Sequence, residues 1–231
     1  MEHPPVDFDT ITEPLDARVA AGLARVAAAL KASAWKGAMP AGLTPTQGQA
    51  LLLLKDETTG VRLATVAASL AVSPPTASDI LAGLVAKGFV SRGTESGNRR
   101  AAAFGLTPKG HALVDTVAAW PAFLARAVET LPPGDRTAFY RSLIAIIRAL
   151  QEAGDIPVQR LCVTCGYFRP NVRLDDVDRP HVCALVGAPF GDRHLRLDCR
   201  EQQTLDAAGR ASLWARFAAP ATPVHATGDP R

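Results

Sequence analysis

Residues 63–92, LATVAASLAVSPPTASDILAGLVAKGFVSR, and residues 95–113, ESGNRRAAAFGLTPKGHAL, decide how this chain is read. In 61–72, Leu63, Val66 and Leu70 recur at three- and four-residue steps, the spacing of one helix face. Ser73 is placed to cap a second helix, and Pro74 and Pro75 are tolerated only in its first turn. Ile80, Leu81, Leu84 and Val85 form its apolar stripe, and Gly88 stands where a helix stops. Two short extended runs follow, 89–95 and 101–106, joined by SGNRR. Gly97 and Asn98 tolerate the positive φ of a hairpin tip. The expectation is two helices joined by a tight turn, then a basic-tipped hairpin: a winged helix–turn–helix.

Upstream, Leu15, Val19, Leu23, Val26 and Leu30 mark a helix to about Trp35. Thr44 followed by Pro45 opens another through about Lys55. Downstream, Thr107-Pro108-Lys109 opens a helix that bends at Pro121, and a last long helix ends at Gly154. The fold class expected is mainly α with a small β-hairpin wing. The organisation expected is a flexible lead (1–13), one winged-helix and dimerisation domain (14–154), an irregular four-cysteine segment (155–200), a closing helix (201–219) and a disordered tail (220–231).

A helix–turn–helix offers its second helix to the major groove, and a wing reaches the backbone or minor groove. Ser73, Thr76, Ala77 and Ser78 lie at the start of that helix, small enough for close approach and able to donate hydrogen bonds. Residues 61–111 carry six Lys or Arg against Asp79 and Glu95, although the whole chain has a formal net charge of only +3. The basic footprint is therefore local. Arg92, Arg99 and Arg100 are its wing members and the candidate phosphate or minor-groove contacts.

These residues resemble the MarR family of transcriptional regulators. The carriers are Leu84, Lys87, Gly88, Phe89, Val90 and Arg92, then Leu106, Thr107 and Gly110. The resemblance spans about residues 12–153. It implies a homodimer held by residues 14–38 and 107–153, acting on a pseudo-palindromic double-stranded DNA operator. Asn98 stands where the family commonly has an Asp, two positions before the wing arginine, here Arg100. Many family members bind small phenolic or acidic inducers, but no residue here specifies one. Trp35, Met39 and Trp120 lie on helix stripes and read as core.

All four cysteines lie late in the chain, as Cys162-x2-Cys165-x17-Cys183-x15-Cys199. Four thiolates complete the ligand set of one zinc ion or one iron–sulfur cluster. Cys183 and Cys199 do not form the second close pair that structural zinc sites favour. The run CVTCGYF…CALVGAPFG…C is similar to the cluster-binding segment of high-potential iron–sulfur proteins. That resemblance favours an iron–sulfur cluster, 4Fe–4S over 2Fe–2S, with zinc as the alternative. His181 or His194 in a three-cysteine site, free thiols and a disulfide remain open.

No secretory signal is visible, and no run reaches the about 18–20 apolar residues that cross a bilayer. The expectation is a cytoplasmic protein with no membrane partner, in a compartment where clustered cysteines serve metal or redox chemistry more often than stable disulfides. No phosphate loop, dinucleotide fingerprint or Ser-His-Asp order suggests an enzyme. The functional expectation is a DNA-binding regulator whose thiol segment senses redox state, oxygen or iron, or else braces the fold through zinc.

Overall fold

The computed structural model describes residues 12–55, 57, 59–95 and 98–219, with the side chains of 94, 95 and 98–101 left out. The expected lead before residue 12, the tip residue Gly97 and the expected tail from 220 lie outside the described residues. The chain forms two compact units that divide between Val128 and Glu129.

The first unit runs α1 (Leu15–Ala38), a 3-10 turn (Met39–Ala41), α2 (Pro45–Leu54), β1 (Val61–Arg62), α3 (Leu63–Leu70), α4 (Pro74–Ala86), β2 (Val90–Glu95), β3 (Asn98–Leu106) and α5 (Pro108–Ala118); α6 (Ala122–Glu129) ends at the division. Local chemistry sets most of these limits. Thr44 and Gln47 cap α2 reciprocally, each side chain bonding the other's backbone N–H at 3.2 Å. The Ser73 hydroxyl accepts from the Thr76 N–H and starts α4. Gly88, at φ +73°, ends it, and the Phe89 N–H returns to the Leu84 carbonyl at 3.0 Å. Thr107 caps α5 and donates its hydroxyl to the Gly88 carbonyl at 2.7 Å, fastening that helix to the start of the wing.

The sheet is antiparallel with order β1-β3-β2, Val61 opposite Phe104 and Val90 opposite Leu106. Sequence periodicity predicts helix from Val61. Instead Val61 and Arg62 pair with β3, and the helix begins at Leu63. Leu51, Leu54, Val66, Leu81, Leu84, Val114 and Val117 are buried at the centre of one core. Val85, expected in the stripe of α4, is 38% exposed, and Trp35 and Met39 are exposed rather than core.

The second unit runs α7 (Pro133–Ala153), a 3-10 turn (Cys162–Thr164), β4 (Phe168–Arg169), β5 (His181–Cys183), β6 (Ala188–Phe190), a second 3-10 turn (Asp192–His194) and α8 (Ala207–Ala218). The segment expected to be irregular thus holds an antiparallel sheet of order β4-β5-β6. Its strands are too short to leave a period in the sequence. The closing helix begins not near 201 but at Ala207, where the Asp206 carboxylate accepts from the Gly209 N–H at 2.7 Å.

Placing the domain limit at Gly154 also proves too late. Ile144 of α7 packs with Leu161, Val163, Phe168, Leu195, Leu213 and Phe217 in a single core. The last long helix belongs with the cysteines, because its apolar stripe is buried there. Among the described residues no helix is long and apolar enough to cross a membrane.

Candidate nucleic-acid interface and thiol cluster

At the start of α4, Ser73, Thr76 and Ser78 are exposed. The Ser73 and Thr76 hydroxyls lie 2.8 Å apart, so part of their hydrogen-bonding capacity is spent on capping. Ala77 is fully buried in the core. Its methyl packs inward, so of the four small residues expected to face DNA at this helix start it alone presents no side chain to solvent. Arg92 is exposed on β2, opposite Phe104 of β3. Arg99 and Arg100 fall in β3, and their side chains are outside the described residues.

Two of the counted cations are tied down. The Lys87 ammonium donates to the Gly42 carbonyl at 2.6 Å and to Gln47 Oε1 at 2.7 Å. The Lys109 ammonium donates to the Lys87 carbonyl at 2.9 Å and sits 4.6 Å above the Phe89 ring. Both therefore brace the winged-helix unit from within.

The four cysteines come from separate pieces of the second unit. Cys162 and Cys165 open and close one 3-10 turn, with the Cys165 N–H donating to the Cys162 carbonyl at 3.0 Å. Cys183 ends β5, opposite Phe168. Cys199 donates its N–H to the Arg160 carbonyl at 3.1 Å, and the Arg160 guanidinium pairs with Asp198 beside it. All four are free thiols.

Burial pushes the Cys162 thiol up, a bond from the Arg196 N–H works against that, and Cys199, Cys165 and Cys183 each push it further up. Cys162 thus feels all three partners. Among the described residues, no three His, Cys, Asp or Glu side chains stand so as to hold one metal ion.

A buried polar network adjoins this cluster, and sequence reading missed it. His181 is fully buried; its Nδ1 accepts from the Asn171 N–H at 3.1 Å and its Nε2 lies 2.7 Å from Asp192 Oδ1. With both ring nitrogens engaged, His181 is not placed to replace a cysteine. Asp192 Oδ2 accepts from Arg141 of α7 at 2.7 Å. Arg141 also donates to the Phe217 carbonyl at 2.8 Å and stacks on the Phe217 ring. Spacing along the chain carries no signal for these pairs, since they join residues 11, 51 and 76 positions apart.

Burial raises the Asp192 carboxyl, but the bonds from His181 and Arg141 outweigh it and hold it below the ordinary carboxylate value. A carboxylate with a lowered folded value stabilises the fold above its unfolded value, about 3.9, and that contribution is lost as pH falls through the lower folded value. Asp192→Asn should therefore destabilise the protein at neutral pH, and the gap from wild type should close below about pH 4. Urea unfolding across that range measures it. A gap that stays constant into acid would show that the carboxylate charge is not the cause.

Residues 41–101 match the model of the MarR family. No curated protein matches the sequence. Among solved structures, the transcriptional regulator PA3341 is 26% identical with a TM-score of 0.51, over 58% of this chain and 98% of that one. The S. aureus MepR–DNA complex is 21% identical with a TM-score of 0.51, over 57% and 97%. CouR from Rhodococcus jostii RHA1, bound to p-coumaroyl-CoA, is 23% identical with a TM-score of 0.50, over 62% and 95%. At those two lower identities the likeness establishes the fold. Residues 41–101 thus form a winged helix–turn–helix that is similar to the MarR family, within a chain that extends well beyond the matched segment.

Proposed function

We propose that the chain is a MarR-type transcriptional regulator that binds double-stranded operator DNA as a homodimer. The observation that carries this reading is the exposed start of α4 set beside an arginine-bearing β2–β3 wing, inside the segment that matches the family. The relative solved as a MepR–DNA complex, with the same fold, supports it. A dimer is supported by α1, which leaves Leu15 71%, Val19 48% and Val26 39% exposed at helical spacing, an apolar face that a second copy can cover.

Duplex DNA selected from a random pool by the wild-type protein provides the test. Arg92→Ala and Arg100→Ala should each weaken binding about tenfold and lower the salt dependence by about one released counterion. Unchanged affinity at several salt concentrations would overturn the assignment of the wing as a DNA contact.

The finer reading is that Cys162, Cys165, Cys183 and Cys199 hold a metal centre, an iron–sulfur cluster in preference to zinc. What supports it is the residue chemistry: four free thiols in one unit, an apolar surround that includes Val163 and Phe168, and a backbone N–H donating to Cys162 Sγ. One zinc ion draws its sulfurs to about 2.3 Å from a single point. A cluster spreads its ligands over several irons, and 4Fe–4S takes one thiolate at each. Such a cluster would supply a group whose presence depends on iron, oxygen or oxidants. Protein purified without oxygen should be brown and absorb at about 400 nm; a colourless protein with one zinc per chain would establish the zinc alternative.

A further inference from the structure

The second unit holds a cavity of about 820 Å³, walled by the first turns of α7, by residues 177–180 and by the second 3-10 turn. Every wall belongs to that one unit, and each is tied to the next. Asp192 joins the 3-10 turn to Arg141 of α7 and to His181 of β5, each at 2.7 Å. The Tyr140 hydroxyl donates to the Leu195 carbonyl, one residue past that turn, at 2.6 Å. Gly191 packs so closely on the Asp178 carbonyl that an added Cβ would collide with it. The cavity is therefore preformed, and the buried His181–Asp192–Arg141 network helps to shape it.

Arg136, Arg141 and Arg193 line it, against Asp178 and Asp192. Both oxygens of Asp192 are already engaged, by His181 and Arg141. Arg141 is fixed by Asp192, by the Phe217 carbonyl and by the Phe217 ring. Those hydrogen bonds use two of the five N–H donors of a guanidinium, and the side chain stays 36% exposed. Among the described residues, neither Arg136 nor Arg193 pairs with a carboxylate; the Arg193 Nε meets His194 Nε2 at 3.4 Å. Apolar surface lines the same space through Pro133 and Pro180, and Val177 is left 88% exposed beside them.

We propose that this cavity binds a small phosphate ester with an apolar body, the phosphate on the arginines and the body against Val177 and Pro180. A guanidinium is a planar fork that takes phosphate or carboxylate oxygens two at a time. A carboxylate has two oxygens and fills one fork. A phosphate monoester has three terminal oxygens and close to two charges at neutral pH, so it can engage two or three forks together. Two arginines without carboxylate partners, beside a third held in place, match that group. Asp178 offsets one of these charges, so what selects phosphate is the number of forks rather than the net charge. Covering Val177 and Pro180 favours the ester over bare phosphate.

Titration calorimetry of the full chain with phenyl phosphate tests this, with inorganic phosphate and benzoate as parallel arms. Phenyl phosphate should bind about tenfold tighter than either. Arg136→Ala and Arg193→Ala should each weaken it about tenfold. Neither side chain is buried, so both variants should keep the wild-type urea midpoint. Val177→Ser should weaken phenyl phosphate about threefold and leave inorganic phosphate unchanged. Arg216→Ala, outside the cavity, should alter neither. No binding of phenyl phosphate by the wild type, or full affinity in both arginine variants, overturns the site. Benzoate bound as tightly as phenyl phosphate would make it a carboxylate pocket and overturn the phosphate assignment. Inorganic phosphate bound as tightly would leave the apolar wall without a role and overturn the ester.

Discussion

Phe217→Ala is expected to destabilise the second unit by about 3–5 kcal/mol, close to the most that one buried side chain contributes. Phe217 is fully buried near the end of α8 and touches almost every piece of that unit. Its ring centroid lies 5.7 Å from Phe168 of β4, 5.6 Å from His181 of β5 and 5.5 Å from Trp214, and the Arg141 guanidinium of α7 sits 4.1 Å over its face. Alanine opens a cavity bordered by a sheet, an aromatic layer and a cation, and these cannot all close on it at once. The Arg141 guanidinium would also lose its aromatic partner while remaining beside Asp192. Phe217→Leu, which keeps most of the volume, should cost about 1–1.5 kcal/mol. Urea unfolding followed through the exchange of α8 amides separates the two. A loss below about 1 kcal/mol for the alanine variant would mean that this aromatic layer is not what holds the unit together.

The winged-helix portion was legible because its signals are local. Thr44-Pro45, Ser73-Pro74 and Thr107-Pro108 each mark a helix start within a few residues, and Gly88 marks a stop that its positive φ explains. β1 was not legible. Val61 and Arg62 are extended only because Phe104 and Ala103, more than forty positions later, supply their partners. The allegiance of α7 was hidden for a related reason. The stripe through Tyr140, Ile144 and Ile147 would look the same whether it covered a dimer partner or the cysteine segment.

Charge counting was legible in total and misleading in part. Lys87 and Lys109 add to the sum, yet both ammonium groups are spent on internal carbonyls. For the thiols, spacing named the four residues but not their surroundings. Arg196 stands only three positions before Cys199, and nothing in its sequence context says that its backbone N–H is aimed at Cys162. That contact is made by the segment that follows the second 3-10 turn, two residues past its end.

Gly110→Ala should also have a large effect, opposite in sign to what helix propensity suggests. Gly110 is the third residue of α5, where alanine would ordinarily gain about 1 kcal/mol over glycine. Here a Cβ would collide with the Phe89 carbonyl oxygen and meet Leu106 Cδ2 at 3.2 Å. The carbonyl cannot step aside cheaply, because it accepts the Thr107 N–H at 3.1 Å and the Thr107 hydroxyl at 3.2 Å, the bonds that join the α5 cap to the root of the wing. The expected loss is about 2–4 kcal/mol, from steric strain combined with a weakened cap. Phe89 leads directly into β2, so the displacement should also weaken operator binding through the wing. Gly134→Ala is the matched control, since Gly134 is likewise in the first turn of a helix, α7, with nothing within 4 Å of an added Cβ. That variant should be neutral or stabilising by up to about 1 kcal/mol. If the two variants unfolded at the same urea concentration as wild type, the close approach of α5 to the wing root would have to be abandoned as the reason for glycine at 110. If only Gly110→Ala fell and took operator affinity down with it, the same contact would account for both the stability of the reader and the placement of its wing.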